Sequence, residues 1–329
     1  MKRIFPLIFL SFFFIFLLVV PSVALEASKK GLLLWFDALL PTLLPFLIIS
    51  QLLLKTPLVD YFQKLSGSAF QRLFHCSENG AFCLLCGFLC GYPVGARLIS
   101  LQLKEGNLSL PESQYLLSFC NNVSPMFCIS FGMMQTLGKT NIFPYLFFIY
   151  GSALLFGILT RPNFCNDSFE KHKKQTSSTE NIFQLIDVCI IDSFLILIKL
   201  CGYLILFTII SDGLIQFIPS KMIFLTPALT AFLEITGGLS NIQQLSDGFY
   251  KTMLCIAALT FGGLCCIFQT NSVISDTELS LRKYIFHKIL ITLIALFLFF
   301  LWNFFVNRFS IERWSQFLTV FSNHFIISI

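Results

Sequence analysis

The chain has 329 residues, of which 56% are hydrophobic and only 12% charged, with 41 Phe and a mean hydropathy of +0.81. A soluble domain carries about 25% charged residues to cover its surface, so this composition excludes a soluble fold and points to a polytopic membrane protein. The net charge of +5 sits mostly in short segments between apolar runs. It therefore reads as membrane topology and not as a nucleic-acid surface.

Lys2 and Arg3 precede an apolar run that begins at Ile4. The run is longer than a signal-peptide core of roughly 7–15 residues, so an uncleaved first span is expected, although Ser22–Ala24 resembles a cleavage site. A helix needs roughly 20 apolar residues to cross the hydrocarbon. On that basis the expected spans cover about 4–25, 31–54, 112–137, 142–160, 184–218, 249–274 and 284–307. Two further apolar stretches, about 80–103 and 222–246, are each interrupted near the centre. The first carries "GYPVG" and the second "EITGGLSN". Both are expected to be re-entrant hairpins.

With the N-terminus in the cytoplasm, Lys and Arg in inner segments outnumber those in outer segments by about two to one, Lys288 being counted inside. The same assignment divides the chain into parts. Residues 1–30 form an N-terminal span and 31–160 a first unit. Residues 161–183 form a basic cytoplasmic linker, 184–307 a second unit and 308–329 an amphipathic tail. The units carry their hairpins from opposite sides. The expected fold is all-α, with about seven spans plus two re-entrant hairpins in an inverted repeat, an architecture of secondary transporters. Segment 57–75 is expected along the inner surface.

Polar groups within apolar runs are expensive and usually face a cavity. Four clusters stand out: 91–97, 119–125, 234–241, and 261–272. The first and third are the hairpin tips, and the second and fourth break the spans that follow them. A broken helix frees backbone groups that survive at membrane depth only against protein or a watery cavity. Its N-terminal half attracts anions. Small and polar residues also serve as ordinary packing glue, but two matched pairs favour a site. Arg97 either binds an anion or reaches the inner face. Glu234 either faces substrate or pairs with Arg97 or Lys199. Asp37, Asp192 and Lys199 also lie within spans.

The 12 Cys mostly occupy apolar runs as small hydrophobes. Cys83 and Cys86 form a C-x-x-C without a second ligand pair, and the four His are scattered, so no metal site or cofactor is expected. No nucleotide-binding motif or catalytic constellation is present, and no enzymatic activity is expected.

"GLLLWFDALLPTLLPFLIIS", "GFLCGYPVGARL", "LLSFCNNVSPMF" and "FLEITGGLSN" resemble the sporulation integral membrane proteins of the YlbJ type. These carry the nucleoside-recognition (Gate) domain, also found in nucleoside transporters and ferrous-iron permeases. The resemblance spans about 31–307. It implies a fold similar to concentrative nucleoside transporters and a place in the bacterial cell membrane, the outer forespore membrane during sporulation. It further implies movement of dipicolinic acid during endospore formation, with a nucleoside or nucleobase carrier and a non-transporting scaffold as alternatives. By motif position, Tyr92, Pro93, Gly95, Arg97, Asn121, Asn122, Ser124 and Pro125 would line one side of the substrate site. Glu234, Thr236, Gly237, Ser240 and Asn241 would line the other, with Gln269 and Asn271 from the looser fourth cluster. The expected partners are a small anionic substrate and the lipid bilayer, with no nucleic acid; homo-oligomerisation is left open.

Overall fold

A computed structural model describes residues 4–56, 70–161 and 182–326. Most of the 161–183 linker and residues 57–69 of the expected surface segment lie outside the described residues. Everything with regular structure among the described residues is helical.

Four helical stretches are long and apolar enough to cross a bilayer. They are Leu110–Thr136, Ile182–Gln216, Phe249–Ile274 and Leu281–Phe305. Pro21–Asp37 and Leu40–Leu53 make a fifth if they are counted as one span bent by 49°. The chain is an integral membrane protein. The seven expected spans therefore reduce to four or five by length and composition. Phe143–Leu159 is apolar but shorter, and the first helix, α1 (Ile4–Val19), has 16 residues. It stops at Val20, earlier than expected, because Val20 leaves helical geometry and Pro21 starts the next helix, a position that needs no N–H.

α2 (Pro21–Leu34) continues through wider π-type turns into α3 (Leu40–Lys55). Both pack on α9 (Ile182–Gln216). Lys30 pairs with Asp212 at 3.4 Å, the Trp35 indole donates to Leu197 O at 2.8 Å, and the Gln51 amide donates to Ser193 Oγ at 3.3 Å. These contacts run α9 antiparallel to the α2–α3 pair.

Both interrupted stretches fold back on themselves. α4 (Glu78–Cys90) and α5 (Val94–Lys104) meet at Gly91–Pro93. α10 (Thr226–Leu233) and α11 (Ile235–Gln243) meet at Glu234. With 8 to 13 residues the arms are roughly 12–20 Å long at 1.5 Å per residue, too short for a hydrocarbon core of about 30 Å. The arms touch backbone to backbone. A methyl group on Gly95 would lie 2.9 Å from Gly87 Cα, and one on Gly238 would lie 2.2 Å from Ala231 Cα.

The spans that follow are broken as expected. α6 (Leu110–Cys120) ends at Asn121 and α7 restarts at Pro125–Phe127, widening into π turns over Cys128–Thr136. After the apolar α8 (Phe143–Leu159), the second broken span is α12 (Phe249–Phe261) and α13 (Gly263–Ile274). They join at Gly262, whose φ of +85° is left-handed and favours glycine. The two broken spans run antiparallel. Gln114 exchanges hydrogen bonds with the Ser280 backbone, Asn121 meets Thr270, and Gly132 abuts Leu259. The two breaks therefore lie close together in depth.

At one end of this pair, the first hairpin closes its base through Asn79 and Asn107 O at 3.2 Å, and Lys104 pairs with Asp276 at 3.4 Å. At the other end, Lys251 pairs with Asp247 at 2.9 Å and Tyr250 reaches Phe224 O, just ahead of the second hairpin. The last helix, α14, runs unbroken over Leu281–Ile326. The expected separate tail helix is its continuation, for no Gly or Pro interrupts "VNRFSIERW".

Candidate functional site

The first hairpin tip wedges between the two broken spans. Gly91 lies so close to Ser124 that an added Cβ would stand 2.5 Å from its backbone N. Tyr92 is buried, abuts Gly262, and donates its hydroxyl to Phe261 O at 3.4 Å. The second tip reaches the same break from the other side, with Gly263 packed beside Ala231 O and Leu233 O. Both hairpin tips and both helix breaks thus converge on one place.

At its centre is a buried polar cluster. Asn121 is 0% exposed and donates its amide to Thr270 Oγ1 at 2.9 Å and Tyr284 OH at 3.1 Å. Its Oδ1 is buried with no hydrogen-bond partner. Asn122 donates to Phe119 O at 2.7 Å, while its Oδ1 accepts from Lys288 Nζ at 3.0 Å. Lys288 also donates to Asn121 O at 3.2 Å and lies 5.1 Å from the centre of the Tyr92 ring.

Tyr284 and Lys288 lie outside the four polar clusters, Thr270 lies in the fourth but is not one of its expected site residues, and the expected topology places Lys288 with the inner charges. The structure corrects that assignment: Lys288 is 0% exposed. Tyr284 and Lys288 are four residues apart on α14, one turn along the same face, which turns both toward Asn121. Lys288 falls within the expected span 284–307, where a cation is a candidate site, but its place near the start of that span fits a lysine reaching the membrane surface equally well.

The remaining candidates divide. Pro93 leads into α5 as its N-cap and has no side-chain cap to offer, while Gly95 packs the hairpin arms. Arg97 lies in the first turn of α5, half-buried, with its Nε buried and unpartnered. Ser124 Oγ caps the restarted helix by accepting from Phe127 N at 3.3 Å.

Glu234 is buried and caps α11, its two oxygens accepting from Thr236 N at 2.8 Å and Gly237 N at 2.6 Å. Of the two expected alternatives, pairing with Arg97 or Lys199 is not formed: backbone donors at a helix N-terminus hold the carboxylate. Asn241 clips the two arms of the second hairpin through Thr230 Oγ1 at 3.1 Å, whereas Ser240 bonds back to Thr236 O within α11, also at 3.1 Å. Gln269 is buried against Cys265 Sγ within its own helix.

Asn271 is not brought to the cluster. It is exposed and borders an open groove of about 440 Å³ with Lys199, Tyr203, Ser272 and Ser275. Among the described residues no group of three His, Cys, Asp or Glu side chains could hold a metal ion.

The fold and site define an α-helical integral membrane protein built around a buried polar seat between two helical hairpins. No family model matches the chain, and no solved structure matches it. The chain is similar to the sporulation integral membrane protein YlbJ of Bacillus subtilis (strain 168), with 23% identity over 320 residues, covering 84% of this chain and 78% of the relative. The homology is distant but nearly full-length.

Proposed function

We propose that the protein is a membrane carrier for a small organic anion, acting in endospore formation. The observation that carries this reading is the convergence of two hairpin tips and two broken spans on the Asn121–Asn122–Lys288 cluster. Packing alone needs no such arrangement, since interrupted helices at membrane depth must satisfy their freed backbone groups elsewhere. Carriers place discontinuous helices at the midplane for this purpose.

Re-entry of the hairpins from opposite faces is supported by their bases. Asn79–Asn107 lies at the Gln114–Ser280 end of the broken pair, and Phe224–Tyr250 at the Asp247–Lys251 end. Such re-entry would make the units 31–160 and 184–307 an inverted pair.

The cations favour an anion over a neutral nucleoside, because Lys288 is buried and Arg97 half-buried and a neutral ligand needs neither. The sporulation role is supported by the name of the B. subtilis relative. Dipicolinic acid, a small planar dicarboxylate, fits both. Purified protein in liposomes should take up radiolabelled dipicolinate in preference to uridine. Uptake of uridine alone would move the substrate to the nucleoside class, and uptake of neither would leave the scaffold reading.

A further inference from the structure

The Lys288 amine is buried and has no acidic partner among the described residues. Its ammonium donates to two neutral oxygens, Asn121 O and Asn122 Oδ1, and its third neighbour is the face of the Tyr92 ring. The ion pairs Lys30–Asp212, Lys104–Asp276 and Lys251–Asp247 all lie elsewhere. Glu234, on the opposing hairpin, spends both oxygens on backbone N–H groups. Burying an ammonium without a counter-ion is strongly unfavourable, and membrane proteins retain such groups where they work. Beside it, Asn121 Oδ1 is a buried acceptor with no donor. The cluster lacks one negative charge and one hydrogen-bond donor.

We infer that Lys288 is the counter-charge of the transported anion, and that the ligand is a monoanion carrying one carboxylate and one donor group. The carboxylate takes the Lys288 ammonium in place of the Asn122 amide oxygen, and the donor meets Asn121 Oδ1. A dicarboxylic acid satisfies this when it keeps one proton: its carboxylate faces Lys288 and its carboxyl O–H faces Asn121. This inference rests on the carrier reading and names the charge state of the species carried.

The test uses proteoliposomes loaded by uptake of radiolabelled dipicolinate, with pyridine-2-carboxylate and its neutral amide as competitors. Wild-type protein should be inhibited far better by the acid than by the amide. Lys288→Gln keeps a donor but removes the charge. It should lose roughly tenfold or more in inhibition by the acid, as expected for one charged hydrogen bond, with the amide unchanged. A merely structural lysine would lower the folded amount and leave the acid-to-amide ratio alone. An unchanged ratio in Lys288→Gln overturns the inference.

Asn122→Asp provides the second arm, and covers the case in which Lys288→Gln does not fold. It places a carboxylate beside Lys288, and should raise thermal stability while abolishing dipicolinate uptake. If Asn122→Asp takes up dipicolinate like wild type, the inference fails. If the wild-type protein transports nothing, the carrier reading itself fails, before any variant is compared.

Discussion

Replacing Gly238 by Ala tests whether α10 and α11 are closed against each other. The new Cβ would stand 2.2 Å from Ala231 Cα, 2.5 Å from its N and 2.6 Å from its Cβ. Ordinary carbon contacts lie at about 3.5–4.0 Å, so the arms must part by roughly 1–1.5 Å. Two of the three atoms are backbone, and no flexible side-chain end is there to yield. The arms have only eight and nine residues, so the movement carries to the tip, where Gly263 packs beside Leu233 O and Ile235 N. Overpacking costs about 1–3 kcal/mol, and a backbone clash belongs at the upper end. For a chain of this size 2–3 kcal/mol lowers Tm by roughly 3–5 °C.

The assay is thermal unfolding of purified protein in detergent, followed by intrinsic tryptophan fluorescence. Gly202→Ala is the matched control, because nothing lies within 4 Å of its added methyl and alanine favours a helix by about 0.8–1.0 kcal/mol over glycine. It should melt at or slightly above wild type. If Gly238→Ala melts with Gly202→Ala, α10 and α11 are not apposed and the stretch is not a closed hairpin.

Three further outcomes follow from the same contacts. Single cysteines at Glu105 and at Pro219, each in a Cys-less background, should label from opposite sides of the membrane; labelling from one side would defeat the inverted arrangement. Arg97→Lys should retain most anion uptake, whereas Arg97→Gln should cost about 1.5–3 kcal/mol in apparent affinity; wild-type behaviour of Arg97→Gln would mean that the side chain only reaches the inner face. In the loop before α12, the hydrogen bond and charge of Lys251 hold the Asp247 carboxyl below the usual carboxylate range. Its contribution is therefore complete above the unfolded value of about 3.9 and is lost as pH falls through the lower folded one. The melting difference between wild type and Asp247→Asn should stay constant at neutral pH and vanish in strong acid.

Much of this was legible in the sequence for local reasons. Gly91–Pro93 and Glu234 mark helix breaks by residue type, and Ser124–Pro125 is a cap followed by a first-turn proline. Gly262 takes the left-handed turn that its type allows. What escaped depends on partners far along the chain. Lys288 follows Lys283 by little more than a turn and is indistinguishable in sequence from a lysine reaching the membrane surface. Its burial is decided by Asn121 and Asn122, 167 and 166 residues away. Thr270 and Asn271 show the same limit over one residue. A helix turns by 100° per residue, so when Thr270 faces Asn121 its neighbour faces outward. No pattern within "FQTNS" decides which of the two is turned in.

The two hairpin tips are electrostatically unlike, and this gives the seat a direction. α11 presents an N-terminus whose first free amides are already occupied by Glu234, so its partial positive charge is spent within the protein. α5 begins at Pro93 with no side-chain cap, carries Arg97 in its first turn, and stands beside Tyr92, over which Lys288 lies. Among the described residues around the seat, the basic groups without an acidic partner, Arg97 and Lys288, therefore stand on the first hairpin's side. The second hairpin offers a surface neutralised by its own carboxylate. A bound anion should place its negative group toward Tyr92 and Lys288 and its less polar body toward the Gly262–Gly263 break. On the proposed carrier reading, movement of the second hairpin would uncover the ligand without separating it from its counter-charge, whereas movement of the first would disturb the charge contact itself. On the carrier reading proposed above, opening of the first hairpin would therefore be the movement coupled to release.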